Sequence, residues 1–227
     1  MQRREFTAGV AAAAGLWLFG DSAHALSESD AAGGIRLALE RGAVAAVQVL
    51  GRPDGFLGNE KVRIPLPGIL HDAARFLRAA GQHRRVDELE TAMNRAAEAA
   101  VPEAKSLLVA AVKGMSLTDA RQIVSGDDDA ATQFFARKTR EPLAARFLPI
   151  VTRATEKVKL ADKYNAVAGR AAALGLIREQ DANLQQYVTS KALDGLYLTI
   201  GEEERKIRSD PVGTGSAILK KVFGSIR

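Results

Sequence analysis

Residues 115–139 read MSLTDARQIVSGDDDAATQFFARKT and decide how the middle of the chain folds, because they predict two helices that meet at an acidic corner. Ser116 stands three residues before Asp119. This is the spacing of a capping box, in which each side chain accepts a hydrogen bond from the other residue's backbone N–H. We therefore expect a first helix over residues 117–125, which Gly126 ends in a left-handed conformation.

Residues 127–129 are consecutive aspartates, and they admit two interpretations. As helix caps, they offer carboxylate oxygens to the first N–H groups of a second helix through AATQFFARKT. As a cation site of the EF-hand type, they would need acidic ligands at alternating positions, a glycine at the sixth and a glutamate at the twelfth. Counting from Asp127, the sequence does not keep this spacing. Hence we predict capping here, and neither a metal nor a cofactor.

Apolar residues recur three or four positions apart along most of the remaining chain, which is the pattern of amphipathic helices. Glycines and prolines separate these stretches, and we expect Pro142 and Pro149 to divide the chain after the acidic corner. Residues 56–67 differ, because apolar residues there alternate with polar residues and prolines. The predicted fold is all-α: an irregular multi-helix bundle of about nine helices in a single domain, with a short extended segment near residues 56–67.

Residues 1–25 have the character of an export signal rather than of a folded element. Arg3 and Arg4 precede an apolar run, and Ala-His-Ala offers a cleavage site after Ala25. The arginine pair with Phe6 resembles a twin-arginine signal. We therefore expect a periplasmic protein with one domain over residues 26–227 and no transmembrane segment. Its net charge of +5 is mild, and we expect no nucleic-acid partner.

Several stretches are distinctive as a set. They are GFLGNEKVRIPLP (55–67), LETAMNRAAEAAVPEA (89–104), MSLTDARQIVSGDDDAATQFF (115–135), FLPIV (147–151), EEERKIRSDP (202–211) and KKVFG (220–224). Through them the chain resembles the DUF4197 family of bacterial exported helical proteins of unknown function. The resemblance covers nearly all of the chain after the signal. It implies a single-domain helical periplasmic protein and implies no activity.

The resemblance also marks a set of polar positions, and we take eight of them as candidate binding residues. They are Asn94, Arg95, Glu98, Asp119, Asp129, Thr132, Glu203 and Arg208, with Gly126 as a further characteristic position. A binding site is expected where the helix that carries Asn94 and Glu98 meets the acidic corner.

Three hypotheses for function stay open on the sequence. We favour a non-enzymatic protein that binds another periplasmic protein, a small molecule or a lipid between its helices. The alternative is a hydrolase that uses Glu98 with Asp119 or Asp129, which requires the two carboxyl groups to lie about 5–10 Å apart across an open cleft. A second alternative is a peripheral membrane protein, because residues 217–223 combine an apolar side with lysines, which suits weak contact with an anionic membrane surface.

Overall fold

The computed structural model describes residues 28–175, 178 and 181–210, and this part of the chain is an all-α bundle without β-strands. Its elements are α1 Glu28–Leu50, α2 Gly68–Ala79, α3 His83–Ala100, a 3-10 turn Val101–Glu103, α4 Ala104–Lys113, α5 Leu117–Ser125, α6 Ala130–Thr155, α7 Lys159–Ala173 and α8 Leu184–Ser209. The all-α prediction is confirmed, whereas the described residues contain eight α-helices and not about nine. The predicted export signal and the basic tail over residues 217–223 lie outside the described residues.

The helix α6 is continuous over 26 residues, although it contains Pro142 and Pro149. Its buried side chains recur every three or four residues from Ala131 to Thr155, so one face packs on the core along the whole helix. Both prolines are exposed and take no part in the buried stripe. A proline inside a helix costs about 3 kcal/mol, and burial of the inner face offsets this cost. The predicted division of the chain at these prolines is therefore wrong.

The helices α6 and α8 pack along each other and form the centre of the bundle. The helix α3 lies against both, α1 packs on α8 and α4, and α5 packs on α1 and α6. The helix α2 covers α3, and α7 lies at the periphery, where it contacts α3 and α8. Among the described helices, none has both the length and the apolar character that crossing a membrane requires.

The chain between α1 and α2 contains no helix or strand. Residues 51–62 form successive turns and bends, so the extended segment predicted near residues 56–67 is wrong for residues 56–62. Residues 63–67 form neither helix, turn nor strand. The alternation predicted for this segment is confirmed, because Val62, Ile64 and Leu66 are buried and the residues between them are exposed. An extended segment leaves backbone N–H and C=O groups without helical partners, so side chains of the neighbouring helices must supply them.

Candidate functional site

Asn94 lies on the buried face of α3 and holds the extended segment through its side-chain amide. Its Oδ1 accepts a hydrogen bond from the Ile64 N–H at 2.8 Å, and its Nδ2 donates to the Ile64 carbonyl at 3.1 Å. The amide therefore pairs with the backbone of Ile64 as a neighbouring β-strand would. The same Nδ2 donates to the Glu90 carbonyl at 2.9 Å. Because Asn94 is completely buried, these bonds replace water for every group involved.

Glu98 lies one turn further along α3 and binds the start of the same loop. Its Oε1 accepts hydrogen bonds from the N–H groups of Phe56 at 3.0 Å and Leu57 at 3.1 Å. Its Oε2 accepts from Arg95 Nη1 at 2.7 Å, and Arg95 Nη2 donates to Asp54 Oδ1 at 2.8 Å. The hydrogen bond to Glu98 is the main cause that raises the pKa of the Arg95 guanidinium above its ordinary value. Both oxygens of the buried Glu98 carboxylate are thus engaged.

The hydrogen bonds from Asn94 and Glu98 to this loop position the side chain of Phe56. Its ring is fully buried and lies against α8, where a Cβ on Gly195 would stand 2.7 Å from Cε1 of the ring. A glycine at this position of α8 therefore leaves the space that the ring occupies. We call Asn94, Arg95 and Glu98 the loop clasp, because together they hold residues 54–64 between α3 and α8.

Glu204 of α8 caps the first turn of α6. Its Oε1 accepts a hydrogen bond from the Ala131 N–H at 3.0 Å, and its Oε2 accepts from the N–H and the hydroxyl of Thr132 at 2.9 and 2.8 Å. Arg208 Nη2 donates to Glu204 Oε1 and to the Ile123 carbonyl, both at 2.8 Å. We call Glu204, Arg208 and Thr132 the α6 cap. It ties α5, α6 and α8 together around a carboxylate that is only 5% exposed.

Two expectations about the acidic corner are wrong. Asp129 occupies the N-cap position of α6 without capping it, and its Oδ1 accepts a hydrogen bond from Gln133 Nε2 at 2.9 Å instead. Gly126 is extended, with φ −86° and ψ −178°, and not left-handed. The corner nevertheless requires a glycine, since a Cβ would lie 2.6 Å from the Gln122 carbonyl oxygen. The carboxylate of a distant helix performs the capping that was predicted for the aspartates.

Glu203 is among the binding residues predicted from the sequence, but its neighbour Glu204 is not. Glu203 accepts a hydrogen bond from a lysine at the surface. A signal for Glu204 was present, because it lies four residues after Ile200 and three before Ile207, both of which are buried. Helical spacing therefore places its carboxylate on the inward face of α8, where a charged group needs partners, and Arg208 four residues later supplies one.

Asp119 forms the predicted capping box with Ser116. The Ser116 hydroxyl oxygen accepts a hydrogen bond from the Asp119 N–H at 3.0 Å. Asp119 Oδ2 accepts from the Ser116 N–H at 2.9 Å and from the Ser116 hydroxyl at 2.7 Å. These bonds are the main cause that lowers the pKa of the Asp119 carboxyl below its ordinary value. The predicted bounds of the first helix are confirmed, since α5 spans Leu117–Ser125.

A cleft of about 200 Å³ opens at the corner between α5 and α6. Its lining residues are Asp119, Gln122, Ile123, Gly126, Asp127, Ala130, Gln133, Phe134 and Arg137. None of them belongs to α3, so the cleft does not include the loop clasp. Glu98 and Asp119 take part in different hydrogen-bond networks. The structure distributes the candidate residues over the loop clasp, the α6 cap, the capping box and two surface positions, Asp129 and Glu203.

A larger cleft, of about 510 Å³, lies where the start of α3 meets the start of α7. We call it the basic cleft, and its lining residues are Arg85, Glu88, Lys157, Val158, Lys159, Leu160 and Lys163. Four cations surround a single carboxylate. The three lysines are exposed and form no ion pair with any residue that the structure describes. This cleft therefore carries positive charge that the described part of the chain does not neutralise.

The basic cleft was not predicted from the sequence either. The signal available was the stretch KVKLADK at residues 157–163, in which Lys159 and Lys163 stand four residues apart and so share one side of α7. The contribution of Arg85 could not be foreseen, because only the packing of α3 against α7 brings it to the same place.

These features define a class of protein: a helical bundle in which most of the characteristic polar residues bond segments of the same chain, while cations without an ion pair among the described residues gather in one cleft. No three His, Asp or Glu side chains in its described parts are placed to hold a metal ion. The chain belongs to the DUF4197 family, a family of proteins of unknown function, whose model matches residues 25–224. The resemblance drawn from the sequence is thereby confirmed. No curated protein and no solved structure matches the chain.

Proposed function

We propose that the protein is a periplasmic, non-enzymatic binding protein whose basic cleft binds an anionic ligand through phosphate or carboxylate groups. The observation that carries the proposal is the set of four cations around one carboxylate, three of them without an ion pair in the described structure. Like charges held at short range repel one another. An anion in the cleft removes this repulsion, so ligand binding also stabilises the fold.

The start of α7 adds to the attraction for an anion. The helix begins at Lys159 inside the cleft, and its N-cap residue Val158 makes no side-chain bond to the first N–H groups. The N-terminal end of a helix carries a partial positive charge and open N–H donors. Val158 and Leu160 supply an apolar part of the lining, which weakens the screening of charges by water.

The hydrolase alternative has less support. A general acid or base needs a carboxyl oxygen that can reach a substrate from an open cleft. Glu98 is buried and accepts hydrogen bonds at both oxygens, and the carboxylate of Asp119 belongs to the capping box. Asp129 is exposed but is bonded to Gln133. These contacts favour structural roles for the carboxylates that the alternative requires.

Titration calorimetry with inorganic pyrophosphate tests the proposed function. The full chain should bind pyrophosphate at low ionic strength, and a Lys159→Ala/Lys163→Ala double variant should lose on the order of tenfold in affinity because two cations leave the site. The matched control is Lys105→Ala/Lys113→Ala, which removes two exposed lysines from α4. The proposal is wrong if both double variants bind alike, or if the full chain does not bind.

A further inference from the structure

The helix α7 presents cations and large apolar side chains on its outward face. Its inward face is buried through Ala161, Tyr164 and Ala168. Lys163, Val167 and Arg170 follow one another at intervals of four and three residues, which places them along one outward side of α7. Leu174 is the C-cap residue directly after the helix and follows Arg170 by four residues. Val167 is 58% exposed and Leu174 is 75% exposed. Two large apolar side chains therefore stand in water beside two cations.

This outward face continues the basic cleft. Lys163 belongs to both, since it lines the cleft and begins the outward series. Lys159, one turn earlier, also lines the cleft. A single exposed apolar residue is ordinary in a protein surface and needs no explanation. The α7 surface differs from this ordinary case, because exposed apolar side chains follow cations that have no ion pair among the described residues, on a helix that starts in a positively charged cleft.

We infer that the protein docks on an anionic lipid bilayer through α7, with headgroup phosphates in the basic cleft and with Val167 and Leu174 in the interfacial layer. The inference rests on the proposed function, because it names the lipid headgroup as the source of the anion. A free phosphate compound would occupy the cleft alone and leave both apolar side chains in water. An anionic bilayer can pair its headgroup phosphates with the cations and bury both apolar side chains at the same time.

The geometry of α7 suits this mode of binding. The helix has 15 residues and is about 22 Å long, so it can lie flat along a membrane surface. Each lysine or arginine near an anionic surface raises the partition coefficient about fivefold. Lys159, Lys163 and Arg170 outnumber Asp162, the exposed carboxylate in the first turn of α7, so the helix carries net positive charge. The two apolar side chains add burial that does not depend on charge.

The chain has no cysteine, so one introduced thiol can carry an environment-sensitive dye at a chosen position. The test places the dye on Val167→Cys and, as the control, on Ala110→Cys, an exposed position of α4. Each labelled full chain is mixed with vesicles of phosphatidylcholine alone or with about one part in four of phosphatidylglycerol, the anionic lipid. A blue shift is expected only for the dye at position 167 and only with the anionic vesicles.

Two further variants connect the shift to the residues that we assign. Lys159→Ala/Lys163→Ala in the Val167→Cys chain should weaken vesicle binding on the order of 25-fold. Leu174→Ser should weaken vesicle binding several-fold and leave pyrophosphate binding unchanged, because it removes apolar contact and no charge. Because the dye reports on α7 itself, binding through residues 1–27 or 211–227 does not produce its shift.

The outcomes separate the two proposals. Pyrophosphate binding without a blue shift at position 167 would overturn membrane docking and leave the proposed function standing, with a soluble anion or an acidic protein as the ligand. Failure of both pyrophosphate and vesicles to bind would overturn both proposals. A blue shift that the lysine substitutions do not affect would also overturn the inference, because the cleft would then take no part in docking.

Discussion

Glu204 and Lys163 are both charged, yet the fold treats them in opposite ways. Glu204 is 5% exposed, and its carboxylate accepts hydrogen bonds from two backbone N–H groups, a hydroxyl and an arginine. Lys163 is exposed in a cleft with three further cations and has no ion pair among the described residues. The protein compensates the charge of Glu204 fully, whereas the described residues offer no counter-ion to Lys163.

The difference indicates where a ligand can act on this molecule. A buried ion without partners costs several kcal/mol, so an inward-facing carboxylate persists only if the fold surrounds it with donors. The hydrogen-bonding capacity of such a residue is then used inside the protein, so the residue is not available to a ligand. Unpaired cations at the surface cost little and stay available. The loop clasp and the α6 cap belong to the first kind, and the basic cleft belongs to the second.

The largest expected effect is the loss of the α6 cap. Glu204→Ala leaves the N–H groups of Ala131 and Thr132 without an acceptor and breaks the ion pair between Glu204 and the mostly buried Arg208. Breaking a buried pair of this kind should lower the free energy of unfolding by about 3–5 kcal/mol in urea denaturation. The control is Glu203→Ala at the next position, where an exposed ion pair contributes less than about 1 kcal/mol. Equal effects of the two substitutions would contradict the role of Glu204 as the residue that caps α6.

The loop clasp should show the next largest effect. Asn94→Ala removes the partner of both the N–H and the carbonyl of Ile64, which is buried, and should lower the free energy of unfolding by about 2–4 kcal/mol. Hydrogen exchange should become faster at the Ile64 amide. Asn59→Ala is the matched control, since its side chain accepts one exposed hydrogen bond from the Lys61 N–H. If hydrogen exchange at the Ile64 N–H stayed slow in Asn94→Ala, the side-chain amide of Asn94 would not be the group that holds residues 63–67 in place.

Local features of this fold were predictable from the sequence. The capping box, the bounds of α5 and the alternation of Val62, Ile64 and Leu66 all depend on residues within a few positions of each other. The family was recognisable for a similar reason, because its motifs are contiguous stretches. Local spacing fixes hydrogen bonds between near neighbours, and these survive in almost any tertiary arrangement.

The wrong or missing predictions concern features that depend on residues far apart in the chain. The predicted break at Pro142 ignored the buried face that keeps α6 continuous. The aspartates of the corner were expected to cap α6, but the acceptor is Glu204, 73 positions after Ala131. The basic cleft joins Arg85 to lysines of α7 in the same way. Intrinsic preferences are worth up to about 1 kcal/mol at most positions and about 3 kcal/mol for proline, and packing overrides them.

The capping box should have a smaller effect that depends on pH. Ser116→Ala should lower the free energy of unfolding by about 1 kcal/mol at neutral pH. The folded-state pKa of Asp119 lies below its ordinary value of 3.8, so its ionised form stabilises the fold above that pH. This contribution is lost as the pH falls through the lowered pKa. The stability difference between the wild type and Asp119→Asn should therefore shrink in acid, and a difference that grew in acid would contradict the role of the carboxylate.

The smallest expected effect on stability is in the basic cleft. Its sign is the sharpest test of the difference between the buried Glu204 and the exposed Lys163. Lys163→Ala removes one of several neighbouring cations, so repulsion falls and the free energy of unfolding should stay within about 0.5 kcal/mol of the wild type or rise slightly at low salt. Added salt screens exposed charges and should erase even this difference, whereas the deficit of Glu204→Ala should persist because its partners are buried. Both are measured by urea denaturation at two salt concentrations. A loss of about 2 kcal/mol for Lys163→Ala would mean that the lysine is paired inside the fold, and the cleft would then offer no free charge to a ligand.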